Sequence, residues 1–190
     1  MRMKSVPFGL VLSAAVAWSA VAAAQPSEAT AAGLWQKLDP KTGKPEGWFL
    51  IVERNGVYEG QIAKMYMEPG EDPNPVCSRC EGDQKGAPWL GLTIITGMKR
   101  HGSDYENGHI LDPRNGNVYN AVMHLSPDGQ TLTVRGYLGF QMFGSDQTWT
   151  RLPQTAYAEL DPTVFPQSNP TGAVPAPRRS PSRVQGSAPR

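Results

Sequence analysis

Hydrophobic and polar residues alternate along most of the chain between Gln25 and Leu152. No apolar pattern at spacings of three and four survives three turns there before a Gly or Pro interrupts it. Alternation of this kind belongs to strands that bury one face. It predicts strands at about Leu34 to Leu38, Gly47 to Arg54, Val57 to Met65, Leu90 to Met98, Glu106 to Leu111, Asn117 to Leu125, Thr131 to Leu138 and Gln147 to Leu152. Turn chemistry separates several of them. Asn55-Gly56 is the pair of a tight hairpin, Asp112-Pro113-Arg114-Asn115-Gly116 a longer turn, and Ser126-Pro127-Asp128-Gly129 a third. Eight short antiparallel strands predict an all-β fold, either a small barrel or a sandwich.

Antiparallel hairpins link side chains of matched parity, so the faces of the later strands can be assigned. One face carries Ile110, Tyr119, Ala121, Met123, Leu125, Leu132, Val134 and Leu138, and this is the expected interior. Tyr119, Met123 and Val134 are its candidate ligand contacts. The other face carries His109, Asn120, His124, Thr131, Thr133 and Arg135. His109, Asn120 and Arg135 align across three strands if the turn closes as a four-residue loop. A solvated sheet face shows the same pattern. Asp104, Glu106 and His109 keep an acid/base enzyme open, with Glu106, His109 and Arg135 as the candidate catalytic residues. No Gly-x-Ser-x-Gly, His-Glu-x-x-His or phosphate-binding Gly-rich loop is present. His101, beside Lys99 and Arg100, reads as part of an exposed turn.

Composition divides the 190 residues into three unlike parts. Residues 1–24 contain no acid, and Arg2 and Lys4 precede an apolar run that ends in Ala22-Ala23-Ala24. That is the pattern of a signal peptide cut after Ala24, and it predicts a periplasmic or secreted protein. The strongly apolar run is short for a bilayer core of about 30 Å, so no transmembrane segment is expected after its removal. Residues 25–152 hold 12 Lys and Arg against 15 Asp and Glu, a balance that argues against a nucleic-acid partner. Residues 153–190 contain eight of the 18 prolines and end in a basic cluster of Arg178, Arg179, Arg183 and Arg190. Disorder is the expectation for this tail, which either associates with an anionic envelope surface or serves as a solubilising extension.

Cys77-Ser78-Arg79-Cys80 admits a disulfide, a metal half-site or a redox dithiol. No helical pattern follows it, as a redox motif would require. Only three histidines exist, at 101, 109 and 124, without the short spacing of a zinc finger. In an exported chain a local disulfide is therefore the expectation, with no metal and no cofactor. The pair lies in Tyr66 to Pro88, a long Pro- and Gly-rich stretch with a surplus of acids, which reads as a lid or as a solvated surface loop.

Four ordered blocks carry a resemblance to a known family: Gly33-Leu34-Trp35, the run from Ile110 to Tyr119, the run from Leu132 to Gly139, and Gln147-Thr148-Trp149-Thr150-Arg151. Together they resemble the bacterial secreted family called domain of unknown function 2147, over about Gly33 to Arg151. The resemblance implies an extracytoplasmic domain with no established activity. Gly144-Ser145-Asp146 departs from the Gly-Arg-Ser/Thr that the resemblance sets before Gln-Thr-Trp, so no arginine role carries over to position 145. Gly33-x-Trp35 with a late Arg also resembles the signature of lipocalin-type barrels. That implies a structural role for Trp35 as an end plug, with Arg151 or Arg135 over its ring; Trp149 is likewise expected to be buried. The expected architecture is a small antiparallel barrel of about eight strands, lipocalin-like (calycin-like), over residues 25–152, between a signal peptide at 1–24 and a disordered tail at 153–190. The expected function is non-enzymatic binding of a small apolar or amphipathic molecule in the envelope. A hydrolase-like enzyme using Glu106 and His109, or a structural envelope protein without a small ligand, are the alternatives.

Overall fold

In the computed structural model, which describes residues 28–165, the alternating segments become β1 (Gly33–Leu38), β2 (Pro45–Arg54), β3 (Val57–Met65), β4 (Thr93–His101), β5 (Asp104–Asp112), β6 (Asn117–Leu125), β7 (Thr131–Tyr137) and β8 (Ser145–Arg151). Each strand pairs antiparallel with the next, and β1 pairs with β8 through Trp35↔Arg151 and Lys37↔Trp149, which closes a barrel. Closure leaves no edge strand to recruit another chain. The β2–β3 hairpin turns through Asn55 and Gly56, both at positive φ (54° and 80°), as a two-residue primed turn demands. The segment 1–24 lies outside the described residues.

One apolar cluster fills the barrel. Trp35, Ile51, Tyr58, Ile95, Met98, Tyr105, Met123, Leu132, Val134 and Trp149 are all buried in it. Its aromatic rings interlock: Phe49 stacks on Trp149 with centroids 4.2 Å apart, and Tyr58 meets Tyr105 edge to face at 4.8 Å. The inward parity of β6 and β7 holds through Met123↔Val134 and Leu125↔Leu132. Leu138, expected inside, is instead exposed, because β7 ends at Tyr137 and Gly139, at φ 68°, turns the chain away. The expected alignment of Arg135 with Asn120 also fails. His109 does face Asn120, but Asn120 lies opposite Tyr137, and Arg135 lies opposite Val122. The cause is the turn: Ser126 N–H donates to the Thr131 carbonyl at 2.9 Å, so the four-residue loop runs from Pro127 to Gln130 and shifts β7 by two positions.

One end of the barrel is sealed by residues 28–32. The Trp35 indole N–H donates to the Ala31 carbonyl (2.8 Å), and the Ala31 N–H donates to the Tyr105 hydroxyl (2.7 Å). Arg151 lies over the Trp35 ring, 4.2 Å from its centroid, and its three nitrogens donate to the carbonyls of Gly129, Ala32 and Thr30. Of the two arginines considered for this place, Arg151 takes it. Arg135 sits on the outer face, forked onto Asp146 at 2.6 and 3.1 Å. Gly33, at φ 142°, is required here: a Cβ would stand 2.5 Å from the Arg151 guanidinium.

Packing continues past 153, the expected start of the tail. Residues 153–165 form two 3-10 turns, Gln154–Glu159 and Pro162–Val164, and lie against the outside of β1, β2 and β3. Ala156, Leu160 and Val164, spaced by four, are buried on Leu34, Trp48, Leu50 and Ala63 in a second apolar cluster. Lys64 ties the strap down through Glu159 (2.8 Å), and the Gln61 side-chain amide donates to the Val164 carbonyl. The eight prolines that suggested disorder conceal this short apolar repeat. Residues 166–190, with the basic cluster, lie outside the described residues.

Two outcomes follow from this geometry. Arg151→Ala removes three charged donors from part-buried hydrogen bonds, and should lower unfolding free energy by about 3 kcal/mol in urea titrations. Truncation after Leu152 should cost about 4 kcal/mol relative to truncation after Phe165, from exposing the faces that Leu160 and Val164 cover. Equal midpoints for the two truncations would refute a stabilising role for the strap.

Candidate functional site

The end opposite the Arg151 plug is where β1, β3, β5 and β7 finish, so the connections 39–44, 66–92, 113–116 and 138–144 gather there as the barrel's mouth. The longest of them packs against the barrel. Cys77 and Cys80 form a disulfide, and both are buried in the same cluster as Leu111 and Ala121 of the barrel. The two arms of the loop pair at Val76↔Pro88, fixed by Cys77 N–H to the Ala87 carbonyl (2.8 Å) and Trp89 N–H to the Pro75 carbonyl (2.9 Å). Gln84 reaches the Thr93 carbonyl at 3.0 Å. The loop extends to the β5–β6 turn, where the backbone of Arg79 abuts Gly116, leaving no room for a Cβ. Its disulfide half and Trp89 are packed in the apolar cluster. The acids Glu71, Asp72, Glu81 and Asp83 are exposed.

Trp89 packs against the interior cluster, and its Nε1 is buried with no protein partner among the described residues. A buried indole N–H without an acceptor is costly, and an acceptor on a guest molecule relieves it. Composition alone did not single Trp89 out, because it sits in a stretch without strand periodicity. The three candidate contacts from the inward pattern fall at different depths. Met123 and Val134 face each other in the closed half and are fully covered, whereas Tyr119, near the start of β6, is half-buried toward the mouth. Trp149, opposite Leu132 in the neighbouring strand, stacks with Phe49.

On the outer face of β5–β8 an open groove of about 310 Å³ is lined by Asp104, Glu106, His124, Thr133, Arg135 and Asp146, among others. It brings together Glu106 and Arg135 of the candidate catalytic residues but not His109, which points outward beyond it opposite Thr96 and Asn120. In place of His109 it holds His124, whose Nδ1 is 2.6 Å from an Asp104 carboxylate oxygen. Asp146, which follows the position where the resemblance sets an arginine, is engaged by Arg135. A larger cleft of about 890 Å³ lies outside the barrel between the strap and β1–β2, with Leu34, Leu50, Val52, Arg151, Tyr157 and Phe165 on its walls. Burial lowers the pKa of the Arg151 guanidinium, with the nearby Tyr157 and Tyr105 opposing the shift. Burial likewise raises the phenols of Tyr157 and Tyr105.

An eight-stranded up-and-down barrel, plugged at one end by a Trp under an Arg, is a lipocalin-like architecture. Comparison with solved structures agrees: the chain is similar to protein HP1028 of Helicobacter pylori, described as belonging to the lipocalin family, with a TM-score of 0.59 and 15% identity over 70% of this chain and 91% of that one. At that identity the likeness is one of fold. The chain itself belongs to the family described as uncharacterized proteins conserved in bacteria, domain of unknown function 2147, whose model matches residues 33–151. No match was found among curated proteins.

Asp112 lies at the turn against which the 66–92 loop rests. Burial raises the Asp112 carboxyl, but hydrogen bonds from the Arg114 side chain (2.9 Å to each oxygen) and backbone outweigh it and hold the group below its ordinary value of 3.8. A depressed carboxylate stabilises the fold above its unfolded pKa, and that contribution disappears as pH falls through the folded value. Asp112→Asn should therefore be less stable at neutral pH and show a shallower loss of stability below about pH 4. Parallel acid limbs for the two proteins would remove this role from Asp112.

Proposed function

We propose that this protein is an exported carrier that holds a small apolar or amphipathic molecule at the mouth of its barrel, beneath the 66–92 lid. The observation that carries the reading is the Trp89 N–H, buried against the barrel interior without an acceptor among the described residues. A ligand with an apolar body and one acceptor, such as a fatty acid or a lysophospholipid, suits that arrangement: aromatic walls take the chain and the indole takes the head. The lipocalin-like barrel supports the reading at the level of fold. The leader-like segment 1–24 and the Cys77–Cys80 disulfide support a periplasmic or secreted location. The basic end at 178–190 supports a secondary attraction to anionic envelope surfaces.

A second reading, a structural barrel without a small ligand, draws on the closed half, where Trp35, Tyr105, Met123 and Val134 leave a filled core. Native mass spectrometry of the freshly purified protein, followed by titration with oleate and lysophosphatidylcholine, separates the two. The carrier should show a co-purifying mass or saturable quenching of tryptophan emission. Trp89→Phe should weaken binding about three- to tenfold, the worth of one hydrogen bond, with unchanged circular dichroism. No bound mass and no saturable signal would leave the structural reading. Ester or glycoside turnover that disappears on changing Glu106 or His124 would instead make the outer groove an active site.

A further inference from the structure

The turn joining β7 to β8 is the most exposed apolar segment of the described chain. Gly136 to Ser145 are ten consecutive uncharged residues, and within them Leu138, Phe140, Met142 and Phe143 are 66%, 74%, 76% and 75% exposed. Four such side chains present about 600 Å² of apolar surface on one turn, at the upper end of what soluble monomers show. We propose that this turn is a lipid-inserting tip that seats the mouth of the barrel on a bilayer surface. The proposal is independent of whether the barrel carries a ligand.

The turn is built to present these side chains. Arg135 forks onto Asp146 with Nε and Nη2, and its Nη1 donates to the Gln141 carbonyl at 3.1 Å. Residues 141–143 form a 3-10 turn, and Gly144 lies so close to the Arg135 stem and the Gly136 carbonyl that a Cβ would approach them to 2.9 and 2.8 Å. The apolar tip is thus braced from behind by a polar bracket, so little conformational freedom remains to be lost on insertion. The bracket is also electrically closed. Arg135 and Asp146 neutralise each other, so the stretch between them brings no uncompensated charge into a medium of low dielectric.

Position and composition select lipid as the occupant. Leu38, Tyr66, Val76 and Val118 are also exposed and lie on the same end of the barrel, so apolar side chains border the mouth around its rim. Ten consecutive uncharged residues lack the polar rim of a protein interface, whose area is only about 57% apolar, whereas they suit shallow insertion below the headgroups. The exposed acids of the lid, Glu71, Asp72, Glu81 and Asp83, sit at this end too and disfavour anionic headgroups. Zwitterionic lipid is the expected surface, in contrast to the anionic one that suits the basic tail.

The test is flotation of residues 25–190 with vesicles of phosphatidylcholine and phosphatidylethanolamine, beside a Phe140→Ser/Met142→Ser/Phe143→Ser variant and a chain ending at Phe165. The wild type and the shortened chain should float equally, and the triple variant should lose at least tenfold in partitioning while keeping its circular dichroism. Phe143→Trp should add a blue-shifted emission component that brominated phosphatidylcholine quenches, a readout that stands if the triple variant fails to fold. Equal flotation of the triple variant, or no quenching of the added emission in Phe143→Trp, overturns the proposal. So does a dimer in sedimentation that the triple variant disperses without any vesicle binding, which would assign the tip to a second copy of the chain.

Discussion

A barrel must be stopped at one end if its interior is to stay dry, and here the stopper depends on a single guanidinium. Arg151 stands at the seam where β8 meets β1, so the residue that completes the last ladder also reaches the first strand's tryptophan. Among the described residues its charge has no carboxylate partner. It is held by the face of Trp35 and by three carbonyl dipoles drawn from residues 28–32 and the β6–β7 turn. This choice lets one side chain tie together the chain's entry to the barrel, its closure and a distant hairpin. Gly33 is bound to the same arrangement, since any side chain there would displace the guanidinium. The motif Gly-x-Trp with a terminal Arg is therefore one physical unit spread across the sequence.

From that end the interior changes character toward the mouth. The closed half is filled by large side chains at full burial, and the Phe49–Trp149 stack belongs to it. Above it, cover is supplied by the connection 66–92 instead of by strand residues. The disulfide spans only three positions and thus adds little global stability; its effect is to keep two buried half-cystines and Trp89 facing the barrel. Any capacity for a guest is concentrated in the part of the molecule built from loop.

Most of the wall was legible because strands that bury one face must alternate, and Asn55-Gly56 and Gly129 mark turns by backbone needs that few residues meet. The plug was legible through Trp35 and Arg151. What escaped had a local cause in each case. Leu138 continues the inward parity of β7, but Gly139 ends the strand one residue earlier. Arg135 and Asn120 share a face, yet the Ser126–Thr131 pairing moves one past the other. The histidine that shares a groove with Glu106 is His124, and its contact with Asp104, twenty residues away, is one that only the fold brings about. The strap was hidden because its three apolar residues lie among prolines, whose number dominates any reading by composition.

The strap also makes the barrel mechanically unequal around its circumference. Where it lies, β1, β2 and β3 have apolar layers on both sides, Trp35 and Ile51 within and Leu34, Trp48 and Leu50 without, so that arc is a three-layer laminate. The arc of β6 and β7 has no such outer layer, and Asn120 and His124 on its outer face are exposed. Bending a laminate shears packed side chains against each other, whereas a single sheet flexes by changing its twist. Breathing of the barrel is thereby directed away from the strapped arc, and the connection 66–92, rooted in β3 at one end and β4 at the other, starts where the stiff wall ends.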